Sequence, residues 1–126
     1  MSLTLAQGKV WAWRQRMGLP CNRTVAVRNP ETHARLLLEE AMEAAEALAA
    51  GDIVGAAKEL ADVIVVALGG AEDCGILMDR VFDEVMWSNE TKTPGLKDAG
   101  GKLQKGPNYQ PPDIAGVLAA QKARKP

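Results

Sequence analysis

Glu39-Glu40-x-x-Glu43 and Glu59-x-x-Asp62 gather five carboxylates into two short clusters, and carboxylates spaced this way suit one task above others, the enclosure of a hard cation. Side chains three or four residues apart leave a helix from the same side. Two such helices packed together would set oxygens against oxygens, and like charges at close range call for a positive ion between them. Around the second cluster, from Ile53 to Leu68, apolar side chains point nearly all round the axis, the pattern of a buried helix. Glu59 shares its face with Asp62, Val63 and Val66. An uncompensated carboxylate in that setting costs several kcal/mol, which favours a bound cation over a pair of ordinary solvated acids.

The rest of the chain narrows the chemistry. His33 is the one histidine and no Glu-x-x-His occurs, so a di-iron or di-manganese redox centre is excluded. No calcium-binding loop of the D-x-D-x-D-G type is present, and His33 has no evident Ser or Cys partner for nucleophilic catalysis. Magnesium remains, with manganese as its substitute, and its usual work in enzymes is to bind phosphate oxygens and activate water.

Charge is segregated in a way that fits a metal bridging carboxylates to an anionic ligand. Residues 1–28 carry five bases and no acid, residues 31–62 carry eight acids against Arg35 and Lys58, and residues 92–126 carry seven bases against Asp98 and Asp113. Lys and Arg at the two ends would hold the outer oxygens of the ligand. Lys122, Arg124 and Lys125 read instead as a solvated tail. The net charge of only -1 gives no support to nucleic-acid or membrane binding. Cys21 and Cys74 stand alone and read as reduced thiols of a cytoplasmic protein, in keeping with a start that lacks a signal peptide.

The elements that must position the acids follow from periodicity and punctuation. A first helix runs from Leu3 to Met17 and stops at Gly18-Leu19-Pro20. A second opens at Pro30-Glu31 and runs to Ala50, where Gly51 ends it and Asp52 caps a third. The third is expected to end near Gly69-Gly70, and a fourth to run from around Glu72–Gly75 to Glu90. A Gly- and Pro-rich loop follows, then a short helix from Ile114 to about Lys122. The expectation is a single all-α domain over residues 1–126, a four-helix antiparallel bundle with a loop-rich C-terminal segment. Burying the third helix would require association of identical chains as a homodimer or homotetramer.

EExxE followed by ExxD on adjacent helices resembles the signature of the all-α nucleoside triphosphate pyrophosphohydrolases, which include MazG, dimeric dUTPases, dCTP pyrophosphatases and phosphoribosyl-ATP pyrophosphohydrolase. Ser88-Asn89-x-x-Lys92, and the run from Asp98 through Lys105-Gly106-Pro107-Asn108-Tyr109 to Asp113, resemble further segments of the MazG-like and phosphoribosyl-ATP-pyrophosphohydrolase-like branch. The likeness extends from about residue 9 to residue 114, with Ala99 as one departure. It implies a MazG-like fold and hydrolysis between the α and β phosphates, giving a nucleoside monophosphate and pyrophosphate.

By the same resemblance, Glu40, Glu43, Glu59 and Asp62 are magnesium ligands and Glu39 positions or deprotonates the attacking water. Asn89, Lys92 and Lys105 contact the phosphates, with Asn108 and Tyr109 in the same lid-like segment or in a structural turn. Glu46 continues the acidic face but reads as a surface residue. Trp11, Trp13, Trp87 and His33 are the groups able to meet a base, although Trp13 lies at core spacing and a lone helical histidine is commonly just packed. The expected function is house-cleaning hydrolysis of (d)NTPs; the alternatives are phosphoribosyl-ATP pyrophosphohydrolase of histidine biosynthesis, or an idle helical assembly module.

Overall fold

The computed structural model describes residues 2–122, which leaves Arg124 and Lys125 outside the described residues. Five helices follow one another: α1 (Leu3–Arg16), α2 (Pro30–Ala49), α3 (Ile53–Cys74), α4 (Met78–Glu90) and α5 (Ile114–Lys122). The described residues are all-α; an isolated antiparallel bridge joins Lys97 to Leu103 and no strand forms. The chain divides into two compact units, one up to Met78 and one from Asp79 onward.

In the first unit, α3 packs against α2 and α1. Ser2 caps α1 by accepting from the Leu5 N–H, and Asp52 caps α3 by accepting from the Gly55 N–H, as its place after Gly51 foretells. The core is Val10, Ala44, Ala56, Leu68 and Ala71, with alanines where helices meet. Trp13 departs from its core spacing and stays partly exposed, because the buried face of α1 runs through Gln7, Val10 and Arg14.

The two glycines at 69 and 70 do not end α3, which continues to Cys74 and moves the start of α4 to Met78. Each glycine costs the helix only about 1 kcal/mol relative to alanine, and the missing side chains admit neighbours. A Cβ on Gly69 would stand 2.9 Å from the Arg14 guanidinium, which forks onto the Pro20 carbonyl oxygen at 3.1 and 2.9 Å. The true stop is Gly75, whose φ of 70° is the left-handed conformation that ends helices. A Cβ on Gly75 would also run into the Thr24 carbonyl. Gly75→Ala is therefore expected to destabilise the protein by about 1–2 kcal/mol from the backbone alone, and more from the clash. Urea denaturation measures it.

α3 is not covered on all sides in the single chain. Ile53 is 78% exposed and Val54 79%, with Leu60 and Ile64 also open to solvent. Helix α2 adds exposed Leu37, Leu38, Met42 and Leu48. The all-round apolar pattern thus has more surface than α1 and α2 cover.

In the second unit, Ser88 near the end of α4 is buried, and its hydroxyl donates to the Gln110 carbonyl oxygen at 2.7 Å. Thr91 Oγ1 accepts from the Gln110 N–H at 2.8 Å, so the returning loop is clasped at one residue from both sides. Inside the loop, Asp98 accepts from the N–H groups of Gly100 and Lys102, a compact turn built on one carboxylate. Asp113 closes the unit by capping α5 while its own N–H donates to Glu84.

Candidate metal centre

Helices α2 and α3 run antiparallel, since His33 near the start of one meets Asp73 near the end of the other. Glu40, Glu43 and Glu59 project into the seam between these helices, each with a carboxylate oxygen within 4.8 Å of the others. Three of the four expected ligands are thereby brought together. The fourth, Asp62, stands one turn along α3, where Lys58 holds it at 2.7 Å and also reaches Glu59 at 3.2 Å. Glu39 is elsewhere: its side chain is 58% exposed and faces Arg35 at 4.0 Å.

The electrostatics of the cluster are those of a cage for a cation. Burial pushes the Glu40 carboxyl above its ordinary value, helped by a carboxyl hydrogen bond with Glu59 and the charges of Asp62 and Glu59. Glu43 is raised too, first by hydrogen bonding with Glu59 and then by the charges of Glu40 and Glu59. Hydrogen bonds to Asp62 and Glu59 hold the Lys58 ammonium above its usual value, so this lysine is a protein-supplied counter-charge at the rim. Glu40 Oε2 and Glu59 Oε2 are buried with no hydrogen-bond partner. Buried oxygens left unpaired are costly, and an ion that prefers oxygen ligands would complete both. The residues present fit magnesium.

A raised carboxyl value means that the charged form destabilises the metal-free fold, a cost present above the ordinary carboxylate range and relieved as pH falls through the raised value. Protons and magnesium then compete for the same oxygens. Magnesium is expected to raise the thermal midpoint more near neutral pH than in mild acid, as differential scanning fluorimetry across pH would read.

Of the candidate phosphate contacts, all in the second unit, Asn89 and Lys92 lie at the end of α4, where the Lys92 N–H donates to the Asn89 carbonyl oxygen. Lys105 Nζ stands 5.0 Å from the centre of the Tyr109 ring, a cation–π contact that ties the lysine to the loop. Tyr109 is half-buried with its hydroxyl against Ser88 Oγ at 3.3 Å, a placement that makes it a structural post of the turn, while Asn108 is exposed.

The model of the phosphoribosyl-ATP pyrophosphohydrolase family matches residues 20–89, more than half of the chain and the whole of α2 and α3. The chain belongs to this family. Its members are magnesium-dependent hydrolases of phosphoric anhydrides, and a nucleotide substrate follows from that membership. No curated protein matches the chain. The acidic cluster lies wholly inside the matched stretch, whereas Lys92, Lys105, Asn108 and Tyr109 lie beyond it.

A second constellation in the family stretch has no motif in the sequence. Asp73 is fully buried and accepts from Asn22 Nδ2 at 2.9 Å, Asn29 Nδ2 at 2.8 Å and His33 Nε2 at 2.7 Å. Its backbone oxygen accepts from Arg28 at 2.9 Å. Burial alone would push the Asp73 carboxyl up, but the hydrogen bonds from Asn29, His33 and Asn22 hold it below its ordinary value. Asn29, the left-handed residue ahead of Pro30, spends its side chain on Asp73 rather than on capping α2.

Proposed function

We propose that this chain hydrolyses the bond between the α and β phosphates of phosphoribosyl-ATP, with magnesium at Glu40, Glu43, Glu59 and Asp62, leaving phosphoribosyl-AMP and pyrophosphate. The observation that carries the reading is the cage of Glu40, Glu43 and Glu59 with two buried, unpartnered oxygens, inside the family stretch. Bound there, magnesium would polarise the phosphate oxygens and offset their charge. Asp62, paired with Lys58 here, would complete the ligand set, with Lys58 beside it to offset negative charge. Glu39, exposed and free to swing from Arg35, positions or deprotonates the attacking water. Asn89, Lys92 and Lys105 carry the amide and ammonium donors that the resemblance assigns to non-bridging phosphate oxygens.

A second substrate reading is house-cleaning of (d)NTPs, whose triphosphate the same acidic cage would serve. Incubating the purified protein with magnesium and either phosphoribosyl-ATP or a panel of canonical and modified (d)NTPs separates the two by which compound yields pyrophosphate. Absence of turnover throughout would leave an assembly module.

The working form is a cytoplasmic homodimer or homotetramer in which a second copy covers the open side of α3. Exposed Ile53, Val54, Leu60 and Ile64 support it. Light scattering is expected to give a multiple of the 13.5 kDa chain mass, and Ile64→Asp to lower it. A monomer in both would remove this part of the proposal. No helix among the described residues is long and apolar enough to cross a membrane.

A further inference from the structure

The acidic cage and the His33–Asp73 pair occupy the same seam. His33 precedes Glu40 by two helical turns on α2, a heptad apart, so the two share a face and lie roughly 10 Å apart along the axis. Asp73 follows Asp62 by eleven residues on α3, which again returns to the same face. Leu36 on α2 and Val66 on α3 are the half-buried residues between the two sites. A nucleotide with its phosphates at the cage and its nucleoside along the seam would end at the imidazole.

The imidazole is prepared for a ligand on one side. Asp73, with every donor around it pointing inward, accepts the proton of Nε2 at 2.7 Å, which in the neutral ring leaves Nδ1 as an acceptor. Among the described residues Nδ1 has no hydrogen-bond partner, and the side chain is 18% exposed where Asp73 is fully covered. Beside Nδ1 the α3 residue is Gly70. The nearest atoms to a Cβ built there belong to His33, with Cγ and Nδ1 both at 3.7 Å. The lack of a side chain at 70 leaves the Nδ1 edge open.

We infer that His33, held by Asp73, is a specificity-determining residue that accepts a hydrogen bond at Nδ1 from a donor on the bound nucleoside, a sugar hydroxyl or a base amine. The inference rests on the nucleotide reading above. A purely structural His33–Asp73 pair makes a different prediction at Gly70. An alanine there meets the ring at ordinary van der Waals distance in a helix interior, so it should keep or raise stability. It nevertheless places a methyl group against Nδ1 and closes the edge to a ligand.

His33 is the one histidine in the chain, so its ring nitrogens give a single set of ¹⁵N resonances. On adding magnesium with an α,β-methylene analogue of phosphoribosyl-ATP, the Nδ1 resonance is expected to move; with magnesium pyrophosphate alone it should not. Gly70→Ala is expected to hold its thermal midpoint and the Nε2 resonance while raising KM by roughly tenfold, the value of one hydrogen bond, with kcat little changed. A deoxyribose version of the analogue names the partner: a lost shift assigns the sugar hydroxyl, a retained one the base, and both support the contact. An unmoved Nδ1 while calorimetry records analogue binding, or an unchanged KM in Gly70→Ala, overturns the inference and leaves the substrate reading standing. If calorimetry records no binding of the analogue, the nucleotide reading fails and the role of His33 fails with it.

Discussion

Glu59→Gln is expected to reduce magnesium-dependent pyrophosphate release by about 100-fold or more in a protein that stays folded. Outer partners of metal ligands already account for 10- to 100-fold when removed, and Glu59 stands at the centre of the cluster. Its carboxylate stands within 4.8 Å of those of Glu40 and Glu43 and is held by Lys58. The amide keeps the shape and removes one negative charge, so like-charge crowding falls and the metal-free thermal midpoint should hold or rise. The expected pattern is therefore lost turnover, a retained circular dichroism spectrum, and a magnesium-induced rise in melting temperature that disappears. Retained turnover would show that the cation is held elsewhere.

Asp73→Ala should produce the largest loss of stability, about 3–5 kcal/mol, the range for breaking a buried ionic network on one side. The carboxylate collects donors from the loop after α1, from the residue before α2 and from α2 itself. Its removal leaves the amides of Asn22 and Asn29 and the imidazole facing a void, each uncompensated group costing about 1–3 kcal/mol. Asp73→Asn should cost less, since one oxygen still accepts. The pH dependence has a definite sign. A carboxyl held below its ordinary value contributes stability that is complete above the unfolded-state value, about 3.9 for Asp, and is lost as pH falls through the folded one. Urea midpoints of the natural protein should therefore fall in acid, and the Asp73→Ala variant should show a shallower acid limb. Parallel limbs would mean that another carboxyl carries the acid sensitivity.

Helix-forming stretches were legible wherever the signal was local. Pro30, Gly51 and Asp52 act where they stand, by presetting φ, adopting left-handed backbone or capping, so the limits of α2 and the start of α3 could be read directly. The Gly69-Gly70 pair misled for a physical reason. A glycine lowers helix propensity by a fixed small amount, but whether the helix stops depends on what packs beside it, and here Arg14 takes the space at Gly69 while the His33 ring lies alongside Gly70. The apolar pattern of α3 shows in the sequence as the pattern of a buried helix, whereas how much of it α1 and α2 cover is a matter of packing, and Ile53 and Val54 stay exposed.

The acids divide in the same way. Their spacing by itself determined that Glu40 and Glu43 share one helix face and Glu59 and Asp62 another, because helical periodicity depends on nothing outside the helix. Tertiary structure decided which of them meet across helices: Glu40, Glu43 and Glu59 converge at the seam, while Lys58–Asp62 and Arg35–Glu39 are i,i+4 pairs within α3 and α2 themselves. It also decided that an aspartate with no motif around it, Asp73, anchors the lone histidine on the seam that carries the cage. Partners 40 to 51 residues apart leave no periodic trace, since their meeting depends on the register of two antiparallel helices and the path of the loop before them.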